Sequence, residues 1–376
     1  MARKFTDEPH APKHRQIFES LSKDLLSGKY APGQKFPSEA ALVQQFRTSR
    51  ITVGRAMRDL AERGLVERIA GSGTYVRNRN ARGKGLLFGL LIPELGNTEI
   101  FEPICRGIAT SPQSAEHALL WGHTSIIEIS PAEQSLQLCD QYIQRKVSGV
   151  FFAPIETGPK CLETNLTILS RLENAHIPIV LLDRCALPFP KRSKHDLVGI
   201  DNRRAGYIAT EHLVKLGVRR ISLLAYSGGA PTVEARIAGF RECLLANGRE
   251  LDRNPVHRLN AITEESVRGL LGRKHEEHGF VCANDRTAGQ LMQALIALGY
   301  RIPQDIRIVG IDDVEYASLL PVPLTTVHQP CREIGVAAMA AMLERISRPK
   351  MFICDILVEC SLVIRQSCGA KDSDRA

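Results

Sequence analysis

Two groupings in this 376-residue sequence combine residue types and spacings suited to chemistry. In the stretch 49–60, Arg50, Gly54, Arg55 and Arg58 fall on one side of a helical repeat and Val53, Ala56, Met57 and Leu60 on the other. A row of guanidinium groups backed by an apolar stripe can bind a phosphate backbone, because basic side chains gain affinity by displacing condensed counterions. Farther along, Asp285 follows the apolar run Phe280–Asn284. A carboxylate at a strand end can accept hydrogen bonds from the hydroxyls of a polyol, guanidinium groups can donate paired ones, and an aromatic face can cover the sugar C–H surface. Asp201, Asn284 and Trp121 have the right types to join such a site. Helix capping is the competing role for Asp285 and core packing that for Trp121.

Other motifs fit their context less well. The segment Gly71-Ser72-Gly73-Thr74 resembles a phosphate-cradling loop, yet it lies between two strand-like runs and opens no helix. Ser227-Gly228-Gly229, between a strand and a helix, could bind an anion but reads better as a turn. His275 and His278 have metal-ligand spacing but stand in a charged connecting segment without a further ligand, so no metal is expected. Nucleotide-binding glycine motifs and a nucleophile elbow are absent from the sequence, and no cofactor is implied. The ten cysteines are scattered from Cys105 to Cys368 without a C-x-x-C pair, as reduced core residues would be.

The elements that must position these residues divide into two regions. Residues 1–85 carry a net charge of +9 and the remainder −1, so the whole excess of +8 lies in the first quarter. In that quarter Ile17, Phe18, Leu21, Leu25 and Leu26 recur at helical spacing and Gly28 follows as a stop. After a turn at 31–33, Ser38 can cap a second helix that runs to Phe46, and Thr48 or Ser49 a third that ends at Gly64. The runs 65–69 and 74–77 flank a glycine tip at 70–73, which predicts a hairpin wing. Residues 78–85 form a basic linker without large apolar side chains.

Beyond the linker, apolar runs at Leu86–Pro93, His117–Trp121, Val147–Pro154, Pro178–Asp183, Ile221–Tyr226, Phe280–Asn284 and Ile306–Ile311 alternate with helical patterns such as Arg203–Leu216, Val233–Ala246 and Arg286–Leu298. This alternation predicts parallel sheets covered on both faces, and the length predicts two lobes.

The segments FPSEAALVQQF (36–46) and SRITVGRAMRDLAERGLVERIAGSGTYV (49–76) resemble the DNA-binding domain of the GntR (gluconate repressor) family over roughly residues 12–77. The resemblance implies that Ser49, Arg50 and Thr52 approach the major groove and phosphates, while Gly71 and Gly73 let the wing backbone approach the minor groove; Ser38 and Arg55 are expected among the DNA-binding residues as well. Ala40 and Gly54 stand where the family often has Arg, and Arg55 can substitute for the second. The segments IPIVLLDR (177–184), VGIDNRRAG (198–206), EARIAGF (234–240), CANDRTA (282–288), RIPQDIRIVGIDD (301–313) and PLTTVHQP (323–330) resemble the effector domain of the LacI/GalR family over roughly residues 86–367. That resemblance implies an effector-contacting Arg236 and a ligand-facing aromatic at Phe101. The fused arrangement is similar to that of arabinose repressors.

The expected fold is therefore an α+β winged helix-turn-helix domain (12–77), a linker (78–85) and an α/β two-lobed periplasmic-binding-protein-like domain with parallel sheets (86–367). The expected activity is ligand-responsive binding of double-stranded operator DNA by a homodimer that pairs mainly through its larger domains, with a sugar releasing the repressor. A sugar-modifying enzyme fused to a DNA-binding module and a ligand-independent DNA binder are the alternatives. No apolar run approaches the roughly eighteen residues of a membrane span and the first residues lack a signal-peptide core, which predicts a cytoplasmic protein with no membrane partner.

Overall fold

A computed structural model describes residues 13–26, 29–30, 34–62, 65–69, 72–76, 85–93, 99–122, 130–156, 158, 160–253, 255–271 and 278–370. The predicted stops at Gly28 and Gly64, the turn at 31–33, the wing tip at 70–71, nearly all of the linker and His275 lie outside these residues. The chain divides into two compact units, Met1–Gly85 and Leu86–Ala376.

The first unit contains α1 (Lys13–Leu26), α2 (Glu39–Phe46), α3 (Arg50–Glu62) and a hairpin of β1 (Val66–Ile69) and β2 (Gly73–Val76). Capping side chains fix the helix starts: Ser38 Oγ accepts from the Ala41 amide and Ser49 Oγ from the Thr52 amide, each at 3.2 Å. Val53, Ala56, Met57 and Leu60 pack with Ile17, Leu21, Leu42 and Phe46 in one small core, which Phe36, Val66 and Val76 close. The segment before α2 pairs with the wing, where the Phe36 amide donates to Thr74 O and the Val76 amide to Gln34 O. The wing is thereby pinned to the helical body.

The second unit begins with β3 (Leu87–Leu91), α4 (Phe101–Thr110), β4 (Ala118–Trp121), α5 (Pro131–Gln144), β5 (Gly149–Phe152), α6 (Cys161–Asn174), β6 (Ile179–Leu182) and β7 (Asp196–Ile200). It continues with α7 (Asn202–Lys215), β8 (Arg220–Tyr226), α8 (Pro231–Ala246), β9 (Val256–Leu259), α9 (Glu264–Leu270), β10 (His278–Cys282), α10 (Asp285–Ala297), β11 (Ile306–Asp312) and β12 (Thr325–His328). The last elements are α11 (Cys331–Ser347), β13 (Asp355–Val358) and β14 (Ser361–Val363).

The strands form two six-stranded sheets, one per lobe, in the orders β13-β7-β6-β5-β3-β4 and β14-β12-β11-β10-β8-β9. All recorded pairings are parallel except β14 with β12. Strands such as β5, β6 and β10 are buried along their whole length, as two-sided covering requires. The short strands β7, β9, β12, β13 and β14 were not among the predicted runs.

The chain passes between lobes three times. It crosses from β7 into α7, which packs on α8; from β12 into α11, which packs on α4; and from β13 into β14. Both helix pairs approach backbone to backbone through reciprocal glycines. A Cβ on Gly206 would lie 2.0 Å from Arg236 O and one on Gly239 1.8 Å from Arg203 O. On the other pair, a Cβ on Gly107 would lie 2.2 Å from Arg332 O and one on Gly335 2.1 Å from Ile104 O. Substitution there would force the helices apart.

Candidate functional site

Two sites emerge, one in each unit. In the first unit the exposed face of α3 carries Arg50, Arg55 and Arg58. Arg50 and Arg68, from α3 and the wing, lie 3.7 and 3.5 Å from the Glu39 carboxylate at the start of α2. One acid thus draws together cations from the helix and the hairpin. Such solvent-exposed pairs are weak and can yield to phosphate. The predicted groove contacts Ser38 and Ser49 serve as helix caps, and the Thr52 hydroxyl is bonded to Ser49 Oγ at 2.8 Å. Gly73 has φ +125°, and a Cβ there would come within 2.9 Å of Lys35 Cε, so the wing needs glycine at this position. Gly71 lies outside the described residues.

In the second unit Arg236 is the hub. It is buried on α8, where its Nε donates to Asn202 Oδ1 at 2.8 Å, its Nη1 to the Ala283 carbonyl and its Nη2 to Asp312 Oδ1 at 3.0 Å. These bonds tie α8 to the start of α7 and to the C-terminal ends of β10 and β11. In an open parallel sheet ligands bind at that end. Asp312, with φ +125°, lies within electrostatic reach of Asp183, φ +66°, which follows β6 in the other lobe. Left-handed backbone at non-glycine residues costs free energy and concentrates at functional positions. Burial, reinforced by Asp285 and Asp183, pushes the Asp312 carboxyl up to about 7 against the opposing pull of Arg236.

Arg184 is buried beside Asp183, donates to Glu156 through Nη1 and lies over the Phe101 ring, 5.4 Å from its centroid. Its Nε is 3.2 Å from Asp183 Oδ2 but lacks hydrogen-bond geometry. Gln329, at the crossing from β12 to α11, donates from Nε2 to Asp183 Oδ1 at 3.4 Å and leaves its buried Oε1 without a partner. The cluster therefore offers one unsatisfied donor and one unsatisfied acceptor next to carboxylates from both lobes. Unpaired buried polar atoms are costly unless a ligand meets them. Hydroxyls, which both donate and accept, fit this set.

The structure redistributes the predicted effector residues. Arg236 and Phe101 belong to the cluster. Asp285 does not reach it with a free oxygen: the side chain has 0% exposure, Oδ1 accepts from Thr326 Oγ1 at 2.6 Å and Oδ2 from the Val314 amide at 3.0 Å. This corrects the choice of Asp285 as the hydroxyl-binding carboxylate, since both its oxygens are engaged within its own lobe. Asn284 caps α10 by accepting from Thr287, and Asp201 caps α7 by accepting from the Arg204 amide at 3.0 Å. Trp121 ends the edge strand β4 with 58% exposure, so it packs in no core. Asp183, Arg184, Asp312 and Gln329 were missed. The signal for the two acids was the one that pointed to Asp285, a carboxylate directly after an apolar run.

The remaining motifs resolve as structure. Gly228 takes φ +73° in the turn before α8, and the Ser227 amide donates to Leu259 O. His278 lies buried in β10 with Nε2 on Ser222 Oγ at 2.9 Å, and burial, with Arg220 and His257, pushes its pKa down to about 3. No group of three potential metal ligands occurs among the described residues.

Residues 13–76 match the family model for bacterial regulatory proteins of the gntR family, and residues 210–368 that for a periplasmic binding protein-like domain. The chain is 28% identical over 372 residues to an arabinose metabolism transcriptional repressor of Geobacillus stearothermophilus, covering 96% of this chain and 98% of the relative. A protein of the same name from Halalkalibacterium halodurans is 27% identical over 384 residues, with the same coverage. Among solved structures, the transcription regulator CcpA of Lactococcus lactis superposes with a TM-score of 0.62 at 20% identity, covering 76% of this chain and 99% of that one. A LacI family regulator from Enterococcus faecium with bound ribose gives 0.61 at 23%, covering 75% and 98%.

Proposed function

We infer that this chain, which joins a gntR-family DNA-binding domain to a periplasmic-binding-protein-like domain, is a ligand-responsive transcription repressor. The observation that carries the reading is the pair of unsatisfied buried atoms, Arg184 Nε and Gln329 Oε1, beside carboxylates contributed by both lobes. A neutral polyhydroxy compound reaches these groups once the lobes part to admit it, and its hydroxyls can then bridge the carboxylates of both lobes as they close over it. A ligand can shift a conformational equilibrium only through such a difference in affinity.

In this reading Arg236, Asp312, Asp183, Arg184 and Gln329 hold the sugar, and Phe101 stiffens the cluster from below Arg184. Arg50, Arg55 and Arg58 contact operator DNA, with Gly71 and Gly73 in the wing. The protein acts as a cytoplasmic homodimer on a two-fold operator, since symmetry makes each contact count twice. Sugar binding releases the operator. The cluster binds its ligand without turnover, which separates this reading from a sugar-modifying enzyme. No helix among the described residues is long and apolar enough to cross a membrane.

A thermal-shift panel of L-arabinose, D-ribose, D-xylulose and cellobiose tests the sensor, because only a true ligand raises stability by mass action. The sugar that shifts the full-length protein should also release it from its selected operator in a gel-shift titration and be recovered unchanged. Operator affinity that ignores every sugar bound would refute the repressor reading.

A further inference from the structure

Glu99 and Tyr316 meet across the two lobes. Glu99 stands two residues before Phe101 at the entrance to α4 in the first lobe, and Tyr316 lies in the 3-10 turn Glu315–Ser318 after β11 in the second. The phenol donates to Glu99 Oε1 at 3.1 Å, joining positions 217 apart in sequence.

The turn that carries Tyr316 is held firmly to its own lobe. The Val314 amide donates to Asp285, whose other oxygen accepts from Thr326, and the Asp313 amide donates to Thr326 Oγ1 at 3.3 Å. The buried Ala317 exchanges backbone bonds with Val314 and Leu324. Tyr316 therefore cannot follow Glu99 if the lobes part, and the bond must break. Asp312 is on the same anchored segment, so the carboxylate bonded to Arg236 and the phenol move as one body.

Other bonds between the lobes lie elsewhere. Gln329 with Asp183, and Arg204 with Glu359 at 3.0 Å, each include a residue within three positions of a chain crossing. A hinge at the crossings strains those bonds little. Neither Glu99 nor Tyr316 belongs to a crossing segment, so their separation reports opening more directly. Burial and the neighbouring Glu99 carboxylate push the phenol upward, which keeps it a donor throughout the neutral range.

We propose that Glu99 and Tyr316 form a latch that holds the cleft closed and so sets how long a bound effector stays. They are positioning residues, acting through lobe closure without a contact to ligand. The effect on effector retention rests on the sensor reading above, but the bond between Glu99 and Tyr316 does not.

The test uses the full-length protein and the variants Tyr316→Phe, Glu99→Ala and the double substitution. Without ligand, hydrogen exchange measured by mass spectrometry should quicken in peptides covering 99–105 and 312–318 in each single variant. The double variant should be no faster than either. Unchanged exchange, or effects that add, would overturn the latch. With the panel sugar that stabilises the wild type, rapid-mixing kinetics should show release about three- to tenfold faster in both single variants, the range of one exposed hydrogen bond. Association should not slow, because each substitution removes a bond that must open before the effector enters. Glu99→Gln, which keeps an acceptor, should restore most of the retention. Slowed association with unchanged release would overturn the retention role. If no sugar stabilises the wild type, the sensor reading fails while the exchange measurement still decides the latch.

Discussion

Arg236 Nη2 donates to Asp312 Oδ1 at 3.0 Å, and the two side chains are 5% and 12% exposed. This bond joins the second turn of α8 to the end of β11 and aims a carboxylate at the opposite lobe. Because the guanidinium also holds Asn202 and the Ala283 carbonyl, it organises three elements at once.

Arg236→Ala should strip a buried carboxylate of its partner. Breaking such a pair costs about 3–5 kcal/mol, so the second unit should melt earlier and sugar binding should vanish. Asp312→Asn keeps an acceptor toward Arg236 and should retain the fold while weakening sugar affinity by about ten- to a hundredfold, the loss of one charge-assisted bond. Calorimetry with undiminished affinity in Asp312→Asn would remove that residue from the site.

Stability should depend on pH through the same group. A free aspartate releases its proton near 3.8, whereas Asp312 holds its own to about 7 and Asp285 to about 6. The folded state thus binds the extra protons, and its stability should fall as pH rises from 4 through 7 and level off above. His278 acts oppositely: with its pKa pushed down to about 3, it favours unfolding as pH drops below the ordinary histidine value of 6.5. Comparing wild type with Asp312→Asn cancels the histidine. The difference between their melting temperatures should change steadily from pH 5 to about 7 and level off above, and a difference flat throughout would contradict the assignment.

Gly239→Ala places a methyl where only 1.8 Å separates the ideal Cβ from Arg203 O. The helices α7 and α8 must move apart, at a cost of about 1–3 kcal/mol. Since Arg236 and Asn202 ride on these helices, sugar affinity should fall together with stability. Denaturant unfolding alongside calorimetry would check both, and wild-type affinity would show that the helix contact does not position Arg236.

Arg50→Ala should weaken operator binding and lower the slope of log affinity against log salt by about one, the effect of a lost phosphate contact. Sugar affinity should be untouched. Loss of sugar binding in this variant would contradict the separation of the two activities.

Much of this protein is legible locally. Ser38 and Ser49 cap the helices they precede, the stripe Val53, Ala56, Met57 and Leu60 is buried, and the charge excess lies in the first 85 residues. Each of these depends on neighbours within about one helical turn, or on composition alone. The two-lobed α/β pattern was readable for the same reason, because long apolar runs mark strands covered on both sides. The edge strands β13 and β14 were not, since they span only four and three residues and no residue in them is fully buried.

The sequence alone determined the elements, the division into a cationic unit and a near-neutral one, and the presence of acids at strand ends. Only the tertiary structure decided which acid anchors its own lobe and which stands near the other. Asp183, Asp285 and Asp312 end or follow similar apolar runs, yet Thr326 and the Val314 amide claim Asp285 for an internal anchor, while three chain crossings bring Asp183 and Asp312 within electrostatic reach of each other. A side chain's role in binding depends on which oxygens its neighbours leave free, and those neighbours come from parts of the chain that are distant in sequence.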